Sequence, residues 1–554
     1  QNTKYTNKMN ISQLQKARSA YQPKVPASIE GATKLSEGKA TQSVADQDDI
    51  KKLFPNTYGM PIVTFEKGSS DANVEAFNVG IILSGGQAPG GHNVISGIFD
   101  GIKRLNKDSK LYGFLGGPSG LVDHKYIELT SDIIDEYRNT GGFDIIGSGR
   151  TKLEEVEQFD KGLEICKKLN IKAIIIIGGD DSNTNACVLA EYYLAKKTGV
   201  QVIGCPKTID GDLKNEMIET SFGFDTATKV YSEVIGNIER DANSAKKYWH
   251  FIKLMGRSAS HVTLECALQT QPNVTLIGEE VEAKNQSLDD VVTYIAEAVA
   301  ARAAKGLNFG TVLVPEGLIE FIPAIKKLIA ELNDMLAANQ AEFDKVADDK
   351  KIEYVANHLS AANAAIFNSL PAGVSRQLAL ERDPHGNVQV SLIETEQLLA
   401  DMVAKKLAEW KKEGKFAGKF ATQHHFFGYE GRCAAPSNFD ADYCYSLGRV
   451  AALLIASGKT GYMSSVRNTT KPAAEWLAGG IPITAMMNME KRNGKMKPVI
   501  QKALVKLDGG PFKYFASKRA EWAIETAFVY PGPIQYFGPS EVCDQPTKTL
   551  TLEH

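Results

Sequence analysis

The sequence predicts an α/β fold, because short apolar runs alternate with segments of helical periodicity. Six runs are predicted as strands: 79–83, 111–115, 174–177, 202–204, 250–254 and 311–314. Strands separated by helices indicate parallel sheets with right-handed crossovers. Glycine, proline and charged residues follow several of these runs, and ligands bind at the carboxyl ends of strands in open α/β sheets. We therefore expect the loops after the strands to form one functional cleft.

Two additions to the α/β body are predicted from changes in composition. Residues 1–75 precede the first strand and are mixed in character, which favours an N-terminal extension packed on the core. From 319 to about 370 the sequence is rich in Ala, Leu, Lys and Asp at helical spacing, which predicts a helical insertion.

The overall composition is that of a globular protein with two or three domains, since 554 residues are 43% hydrophobic and 23% charged. The net charge of −3 gives no support for nucleic acid or anionic membrane as a partner. No apolar run approaches the roughly 18 residues of a membrane span, so we expect a cytoplasmic protein. The seven cysteines form no C-x-x-C pair, which favours reduced thiols over a zinc site.

The junction after the isoleucine run 174–177 is the most informative feature of the chain. Two glycines are followed by Asp180 and Asp181, and then by a helix-like stretch. Backbone N–H groups at such a junction bind phosphate, but two carboxylates would repel it unless a cation lay between. The motif therefore predicts Mg²⁺ and a polyphosphate.

A glycine-rich loop after the first strand is a second candidate phosphate site. Gly85 and Gly86 follow the strand, and a helix is predicted from about Asn93. In this geometry backbone amides can surround a terminal phosphate, whereas the glycines alone would indicate only a turn.

The charged loop 206–214 follows the fourth strand and has two readings. It is either a solvated turn or a catalytic loop, because Asp210 and Asp212 are spaced to point into the same cleft. One carboxylate could accept a proton from a hydroxyl while the other helps to hold a metal. Lys207 would then be a flexible charge near a transferring phosphoryl group.

Five motifs in this order resemble the phosphofructokinase family, in particular its long pyrophosphate-dependent branch. They are Gly-Gly-Asp-Asp-Ser at 178–182, Pro-Lys-Thr-Ile-Asp-Gly-Asp at 206–212, Met-Gly-Arg at 255–257, Pro-Glu-Gly at 315–317 and Gly-Tyr-Glu-Gly-Arg at 428–432. The resemblance covers about residues 76–500. It implies a phosphofructokinase-like fold of two Rossmann-like three-layer α/β domains, and subunits that pair as a homo-oligomer, either a dimer or a tetramer.

The resemblance also implies domain boundaries. The phosphoryl-donor domain, for pyrophosphate and Mg²⁺, would comprise residues 76–224 and about 431–485. The fructose 6-phosphate domain would comprise 225–430 and about 486–554, and it would carry the helical insertion.

On the donor side, the resemblance assigns different roles to the two aspartates. Asp180 matches the carboxylate that holds Mg²⁺. Asp181 stands where ATP-dependent relatives carry glycine, so that its carboxylate would occupy and repel the α-phosphate of ATP. Lys207 matches the lysine that marks pyrophosphate users.

The remaining site residues also follow from matched motifs. The pyrophosphate-binding set is Gly85, Gly86, Arg150 and Lys207. The catalytic set is Asp210 as general base, Lys207, Asp181 and Arg257. The substrate-binding set is Thr208, Asp210, Asp212, Met255, Gly256, Arg257, Glu316, Tyr429, Glu430, Gly431 and Arg432, with Lys247 and Tyr248 from a neighbouring subunit. The last four residues of the 428–432 motif match the clamp on the sugar 6-phosphate, where two arginines would suit a phosphate dianion.

Some positions depart from the family pattern. ATP-dependent bacterial members carry a trans-acting arginine where this chain has Gln423, followed by His424 and His425. Packing or hydrogen bonding is the favoured reading of the two histidines. Gln87 replaces an acidic residue of some relatives, which leaves the donor loop less charged.

The resemblance implies reversible transfer of a phosphoryl group from Mg-pyrophosphate to the 1-hydroxyl of D-fructose 6-phosphate, in glycolysis. An ATP-dependent 6-phosphofructokinase is the first alternative, since only Asp181 and Lys207 argue against it. A non-catalytic regulatory subunit is the second, although it would be expected to lack the base or a metal carboxylate. NAD and diacylglycerol kinases share the Gly-Gly-Asp loop but lack the Met-Gly-Arg and Tyr-Glu-Gly-Arg combination.

Overall fold

The computed structural model describes residues 10–70, 73–382, 387–492, 494–533, 540–544 and 548–553. Its strands are β1 (Thr33–Ala40), β2 (Pro61–Lys67), β3 (Asn78–Leu83), β4 (Leu111–Phe114), β5 (Tyr126–Glu128), β6 (Ile171–Gly178), β7 (Gln201–Pro206), β8 (Trp249–Leu254), β9 (Val274–Thr275), β10 (Gly310–Pro315), β11 (Thr422–Phe427), β12 (Tyr462–Arg467), β13 (Leu477–Pro482), β14 (Met487–Arg492) and β15 (Lys495–Ile500). The six strands predicted from the sequence are thus confirmed as β3, β4, β6, β7, β8 and β10.

The helices that precede β8 are α1 (Gln13–Ser19), α2 (Gln47–Leu53), α3 (Gly91–Leu105), α4 (Pro118–Val122), α5 (Ser131–Tyr137), α6 (Val156–Lys168), α7 (Asp180–Ala195) and α8 (Phe224–Ala245). Those that follow are α9 (His261–Thr270), α10 (Gly278–Ala283), α11 (Leu288–Ala303), α12 (Leu318–Phe321), α13 (Pro323–Ala338), α14 (Gln340–Asp344), α15 (Lys351–His358), α16 (Ala361–Ser369), α17 (Ala372–Leu380), α18 (Thr395–Lys412), α19 (Tyr429–Arg432), α20 (Asn438–Ala456), α21 (Gly510–Ile524), α22 (Ser540–Cys543) and α23 (Lys548–Glu553).

Residue contacts divide the chain into two compact units. The described residues of Gln1–Ala227, Glu430–Ala503 and Ile534–His554 form unit 1, and those of Thr228–Tyr429 and Leu504–Pro533 form unit 2. The hairpin of β14 and β15 therefore lies in unit 1, whereas the sequence placed residues after about 485 in the other domain. The hairpin belongs there because β15 packs on α7 and β14 packs on α2.

Unit 1 is built on a nine-stranded sheet in the order β1-β2-β13-β12-β7-β6-β3-β4-β5. The five central strands, from β12 to β4, are parallel, and the strands outside them pair antiparallel. In β6 every residue except Lys172 is buried. A continuous apolar strand is typical of a parallel sheet covered on both faces, which explains why the isoleucine run was recognisable in the sequence.

The N-terminal extension contributes strands to this sheet, which the sequence did not predict. β1 pairs with β2, and β2 pairs with β13, so the extension builds one edge of the unit 1 sheet. The residues of β1 are intermediate or exposed, so they lack the apolar alternation that would have marked a strand. Residues 1–9, 71 and 72 of the predicted extension lie outside the described residues.

Two helices of unit 1, α3 and α20, lie unusually close to each other because glycines replace side chains at their contact. A Cβ at Gly97 would lie 2.2 Å from the Tyr445 carbonyl oxygen, and a Cβ at Gly448 would lie 2.1 Å from the Val94 carbonyl oxygen. The pair supports the loop before α3, which is the second candidate phosphate site predicted from the sequence.

Unit 2 contains a parallel sheet in the order β11-β8-β10-β9 and a group of helices. The predicted helical insertion is a succession of helices from α12 to α18, so helical structure continues to Lys412 rather than ending near 370. Buried residues of α13 recur at three- and four-residue spacing: Ile325, Leu328, Ile329, Leu332 and Leu336. This stripe packs into the same apolar core as Trp249 and Phe251 of β8.

Two findings concern membrane spans and the state of the cysteines. Within the described part of the chain, no helix is both long enough and apolar enough to cross a membrane. Six cysteines in that part carry free thiols, which confirms the prediction of reduced thiols for those positions.

Candidate active site

The glycine-rich loop after β3 is a cradle lined by three cations of unit 1. Gly85 has a φ of +86°, which favours glycine, and a Cβ at this position would lie 3.2 Å from the Lys207 ammonium. A Cβ at Gly86 would lie 3.2 Å from a guanidinium nitrogen of Arg150 and 3.5 Å from one of Arg432. The space that side chains would have filled at these glycines is therefore surrounded by positive charge, as an anion site requires.

Arg150 reaches this cradle because its loop pairs with the loop after β3. The Gly85 N–H donates to the Gly149 carbonyl oxygen at 2.9 Å, and Ser84 and Gly149 form a parallel bridge. The loop 147–150 thus follows the course of the glycine-rich loop, and its last residue faces Gly86.

The two aspartates after β6 occupy the first turn of α7, which begins at Asp180. Negative charge is favourable at a helix N-terminus, where backbone N–H groups lack helical partners. The Asn183 side-chain amide donates to the carbonyl oxygens of Gly178, Gly179 and Cys205, at 2.7, 2.9 and 3.2 Å. The sequence analysis did not single out Asn183, yet these three bonds fix the turn that presents both carboxylates.

Lys207 is a buried lysine whose ammonium donates to the Gly86 carbonyl oxygen at 2.6 Å. Burial lowers the pKa of Lys207 to about 8; the Asp210 carboxylate opposes this shift, and the Arg150 guanidinium adds to it. An anion bound beside Lys207 would favour its charged form. The arrangement thus suits a lysine that gains full charge when a phosphate arrives.

Asp210 and Asp212 are presented by a tight turn of the loop after β7. The Asp210 N–H donates to the Thr208 hydroxyl oxygen at 3.0 Å, and Gly211 between the aspartates has a φ of +76°. Burial, together with the charges of Asp210 and Asp180, raises the pKa of Asp212 to about 7. The i, i+2 spacing therefore places the Asp210 carboxylate close enough to affect the pKa of Asp212.

The acidic residues at the ends of β6 and β7 fit a divalent cation that binds oxygen atoms of both the protein and a phosphate. One carboxylate oxygen of Asp180, Oδ2, is buried and accepts no hydrogen bond from the described residues. Burial raises the pKa of Asp180, and the neighbouring Asp181 charge adds to this shift. Across the described ranges, no three acidic, histidine or cysteine side chains are placed to hold a metal by themselves. A hard cation at Asp180 would therefore complete its oxygen shell from phosphate and water.

Two cations of the segment that follows β13 were missed by the sequence analysis. An Arg492 guanidinium nitrogen lies 2.9 Å from Oδ1 of Asp181, and the Lys502 ammonium lies 3.9 Å from Oδ2 of Asp180. Both lie more than 300 residues along the chain from their partners, and no local pattern in the sequence marks such a pairing.

In unit 2, the Met-Gly-Arg loop after β8 is packed against the Pro-Glu-Gly loop after β10. The Gly256 N–H donates to Oε2 of Glu316 at 2.9 Å, and Gly256 has a φ of +132°. A Cβ at Gly317 would lie 2.0 Å from the Arg257 carbonyl oxygen, so this contact requires glycine. An Arg257 guanidinium nitrogen lies 3.8 Å from a carboxylate oxygen of Glu320. The structure thus brings Gly256 and Arg257, of the Met255–Arg257 segment that is called the acceptor loop below, next to Glu316, another residue of the predicted substrate-binding set.

The predicted phosphate clamp is divided between the units, because the chain passes from unit 2 to unit 1 inside α19. Tyr429 belongs to unit 2 and its side chain is exposed, whereas Glu430, Gly431 and Arg432 belong to unit 1. The Arg432 guanidinium is next to Gly86 and Arg150. Arg432 therefore lies beside the glycine-rich loop predicted to bind pyrophosphate, whereas the sequence assigned it to the sugar phosphate.

Lys247 and Tyr248 precede β8, whereas the acceptor loop follows it. A strand of six residues extends over about 20 Å, so these two residues are well separated from Met255 of the same chain.

On the neighbouring edge strand β11, Nε2 of His425 lies 3.0 Å from Nδ1 of His250. Burial lowers the pKa of His250 to about 4, which agrees with a neutral, hydrogen-bonded pair rather than a catalytic histidine.

Comparison with known proteins gives three kinds of similarity. Residues 78–455 match the family model described as phosphofructokinase. The chain is 66% identical to pyrophosphate–fructose 6-phosphate 1-phosphotransferase of Porphyromonas gingivalis over 98% of this chain and 99% of the relative. It is 55% identical to the enzyme of the same name from Treponema pallidum, over 98% of this chain and 97% of the relative. A solved structure of pyrophosphate-dependent phosphofructokinase from Marinobacter aquaeolei, at 16% identity and a TM-score of 0.53, covers 82% of this chain and 93% of its own and supports the fold.

Proposed function

The chain belongs to the phosphofructokinase family, and we propose that it transfers a phosphoryl group reversibly from Mg-pyrophosphate to the 1-hydroxyl of D-fructose 6-phosphate. The products are D-fructose 1,6-bisphosphate and phosphate. The observation that carries the proposal is the group of three cations, Lys207, Arg150 and Arg432, around the two glycines of the donor loop. This cradle lies in the unit that also presents Asp180 and Asp210.

The residues of unit 1 would act mainly through position and charge. The oxygen of the sugar 1-hydroxyl attacks the terminal phosphorus of pyrophosphate, its proton passes to Asp210, and the bond to the departing phosphate breaks. Lys207 and Arg150 neutralise the charge of the transferred group and of the leaving phosphate. Thr208 orders the turn that holds the base, because its hydroxyl accepts the Asp210 N–H.

Magnesium fits the acidic residues of this unit. Asp180 would hold the ion with its buried oxygen Oδ2, and Asp212 would lie beside the ion or its water molecules. The bound ion would supply charge neutralisation for the donor phosphates. Its positive charge would also keep both carboxylates ionised against the effect of burial.

The donor is proposed to be pyrophosphate rather than ATP on two grounds. Asp181 occupies the first turn of α7, where a longer donor would have to extend, and Lys207 takes the place of the small residue of ATP users. Both relatives named above carry pyrophosphate in their names. A regulatory subunit is not favoured, because the base and both metal-side carboxylates are present.

In unit 2, the acceptor loop would bind fructose 6-phosphate. Glu316 accepts a hydrogen bond from the Gly256 N–H and would also hydrogen-bond the sugar hydroxyls. Arg257 would bind a phosphate dianion of the sugar substrate, and Tyr429 would contact the 6-phosphate. Arg432 would contribute to the donor phosphates in addition to the predicted sugar phosphate, since its guanidinium is next to Gly86.

A two-donor assay tests the function directly. The purified chain is supplied with fructose 6-phosphate, Mg²⁺ and either pyrophosphate or ATP, and fructose 1,6-bisphosphate is measured by a coupled reaction. We expect turnover with pyrophosphate, and in the reverse direction release of pyrophosphate from fructose 1,6-bisphosphate and phosphate. Turnover with ATP and none with pyrophosphate would exclude the proposed donor. An inactive pure chain that gains activity only with a second polypeptide would instead identify a regulatory subunit.

A further inference from the structure

The hairpin of β14 and β15 places a cation beside each aspartate of the Asp180–Asp181 pair. Arg492, the last residue of β14, binds Asp181 with a nitrogen–oxygen distance of 2.9 Å. Lys502, two residues after β15, has its ammonium 3.9 Å from Asp180. One segment of unit 1 thus provides both contacts, although sequence reasoning had treated the two aspartates as a self-contained motif.

The hairpin is held at both of its strands, so the position of Arg492 is defined by the fold. The Ile500 N–H donates to the Thr184 hydroxyl oxygen of α7 at 3.3 Å. On the other strand, the Met489 N–H donates to the Asp46 carboxylate at 2.8 Å, and the Met487 carbonyl oxygen accepts the Val44 N–H at 2.9 Å. The N-terminal extension and α7 therefore both anchor the element that carries Arg492.

The ion pair changes the physical explanation of donor choice. An isolated Asp181 carboxylate would repel every phosphate, including those of pyrophosphate. With the Arg492 guanidinium in contact, the charge of Asp181 is offset within the pair, although Arg492 also contacts the exposed Glu490 at 3.2 Å, and two side chains rather than one fill the space at this turn of α7. Repulsion of a nucleotide phosphate is then weak, and the volume of the pair becomes the main obstacle.

We propose that Arg492 is a specificity-determining residue, which positions Asp181 so that the ion pair forms a wall next to the donor site. The wall admits an unsubstituted diphosphate and excludes donors that continue beyond the second phosphorus. This inference rests on the proposed function, because it concerns the length of the phosphate donor that the same site accepts. The donor class is defined by length: pyrophosphate is accepted, whereas tripolyphosphate and ATP are both rejected.

Tripolyphosphate and ATP together separate the effect of length from that of the nucleoside. The kcat/KM values of the wild type are measured first with pyrophosphate, tripolyphosphate and ATP. We expect Arg492→Ala to raise the KM for pyrophosphate about two- to five-fold, as loss of a partly exposed ion pair implies, with a smaller change in kcat. The same variant should gain activity with tripolyphosphate. Arg492→Lys should restore most of the wild-type KM.

Charge and volume are separated by changing both members of the pair. Asp181→Asn with Arg492→Met gives an uncharged pair of similar size, so both longer donors should stay excluded, and the KM for pyrophosphate should rise no more than it does in Arg492→Ala. Asp181→Gly removes the volume and should admit the longer donors while it lowers pyrophosphate activity. If Asp181→Asn admits ATP as readily as Asp181→Gly does, repulsion rather than volume excludes the nucleotide, and the proposal fails.

Binding without turnover and a matched control complete the experiment. Calorimetry with methylenediphosphonate, which cannot transfer its phosphoryl group, should show the same loss of affinity in Arg492→Ala. Lys497→Ala removes an exposed cation from the same hairpin and should leave affinity and donor choice unchanged. If the wild type uses pyrophosphate but the Arg492 variants match it with all three donors, the inference is wrong and the proposed function stands. If the wild type does not use pyrophosphate, the proposed function itself fails.

Discussion

The burial of Lys207 should limit the capture of pyrophosphate at high pH. Its pKa is lowered to about 8 by burial, and the nearby guanidinium of Arg150 acts in the same direction. Because the free enzyme must bring a charged lysine to pyrophosphate, kcat/KM for pyrophosphate should fall as the pH rises through about 8. The kcat value should fall only at higher pH, since the bound anion raises the pKa of the lysine.

A pH–rate profile from 6 to 10 at saturating fructose 6-phosphate checks this expectation. Lys207→Arg provides the comparison, because a guanidinium stays charged throughout that range, so any residual activity should lose the decline near pH 8. A wild-type profile of kcat/KM that stays flat to pH 10 would show that the charge of Lys207 is not required for donor capture.

At the scale of single residues, the sequence indicated the candidate site residues that lie within one strand–loop–helix segment. Asp180 and Asp181 were recognisable because they follow a buried strand and two glycines, and Asp210 because it lies in a charged loop after a strand. Arg492 was not, since its role depends on a hairpin packed against α7 from a distant part of the chain. Arg432 was predicted to bind the sugar phosphate, but its place beside the glycine-rich loop of unit 1 could not be predicted from its own motif.

Among the helices, α3 depends on a neutral histidine in its first turn. The Nδ1–H of His92 donates to the Thr140 hydroxyl oxygen at 2.7 Å, and Nε2 accepts the Ile145 N–H at 3.3 Å, so both ring nitrogens are used by the neutral form. Burial lowers the pKa of His92 to about 3. The unfolded chain therefore binds a proton that the folded chain does not, between about pH 6.5 and 3.

The stability contributed by neutral His92 is complete above pH 6.5 and is lost as the pH falls towards 3. Each pH unit within that window should cost about 1.4 kcal/mol of unfolding free energy from this group. Urea unfolding at pH 7.5 and 5.5 measures the loss, and His92→Asn should reduce the difference between the two pH values. The exposed His358, replaced by Asn, is the control, and an equal reduction there would remove the special role of His92.

The contact of α3 with α20 gives a second prediction for this part of unit 1. A methyl group at Gly448 would lie 2.1 Å from the backbone oxygen of Val94, so the two helices would have to separate. Gly448→Ala should therefore lower the unfolding free energy by about 2–3 kcal/mol, measured by urea titration. Gly373→Ala, in α17, has open space around it and should be neutral or slightly stabilising. Equal effects of the two substitutions would contradict the close contact.

The strands at the centres of the sheets could be predicted from the sequence, whereas the edge strands could not. The buried strands β6 and β7 are continuous apolar runs, because both of their faces are covered. The edge strand β1 has the sequence TKLSEGKA, in which no residue is buried, so only its pairing with β2 defines it. Strand pairing between distant segments leaves no local signal in a sequence, and the same is true of the β14–β15 hairpin packing on α7.

For the whole molecule, the family resemblance implies that Lys247 and Tyr248 act in the site of a neighbouring subunit. Lys247 and the acceptor loop lie at opposite ends of the six-residue strand β8, about 20 Å apart along its length. We therefore propose that the chain works as a homo-oligomer, in which Lys247 and Tyr248 serve the fructose 6-phosphate site of a second copy. Light scattering after size exclusion should accordingly show a dimer or a tetramer.

Complementation between two defective variants tests this arrangement. Asp210→Asn should abolish turnover, because the site loses its base, and Lys247→Ala should raise the KM for fructose 6-phosphate about ten-fold or more, since a charged phosphate contact is lost. Mixed oligomers, obtained by co-expression with two different tags, contain sites in which the Asp210 of one chain meets the Lys247 of the other. If Lys247 acts in trans, these oligomers should regain the wild-type KM at a reduced kcat. If it acts within its own chain, every site with an intact base also lacks Lys247, and the mixed oligomers would keep the raised KM of Lys247→Ala.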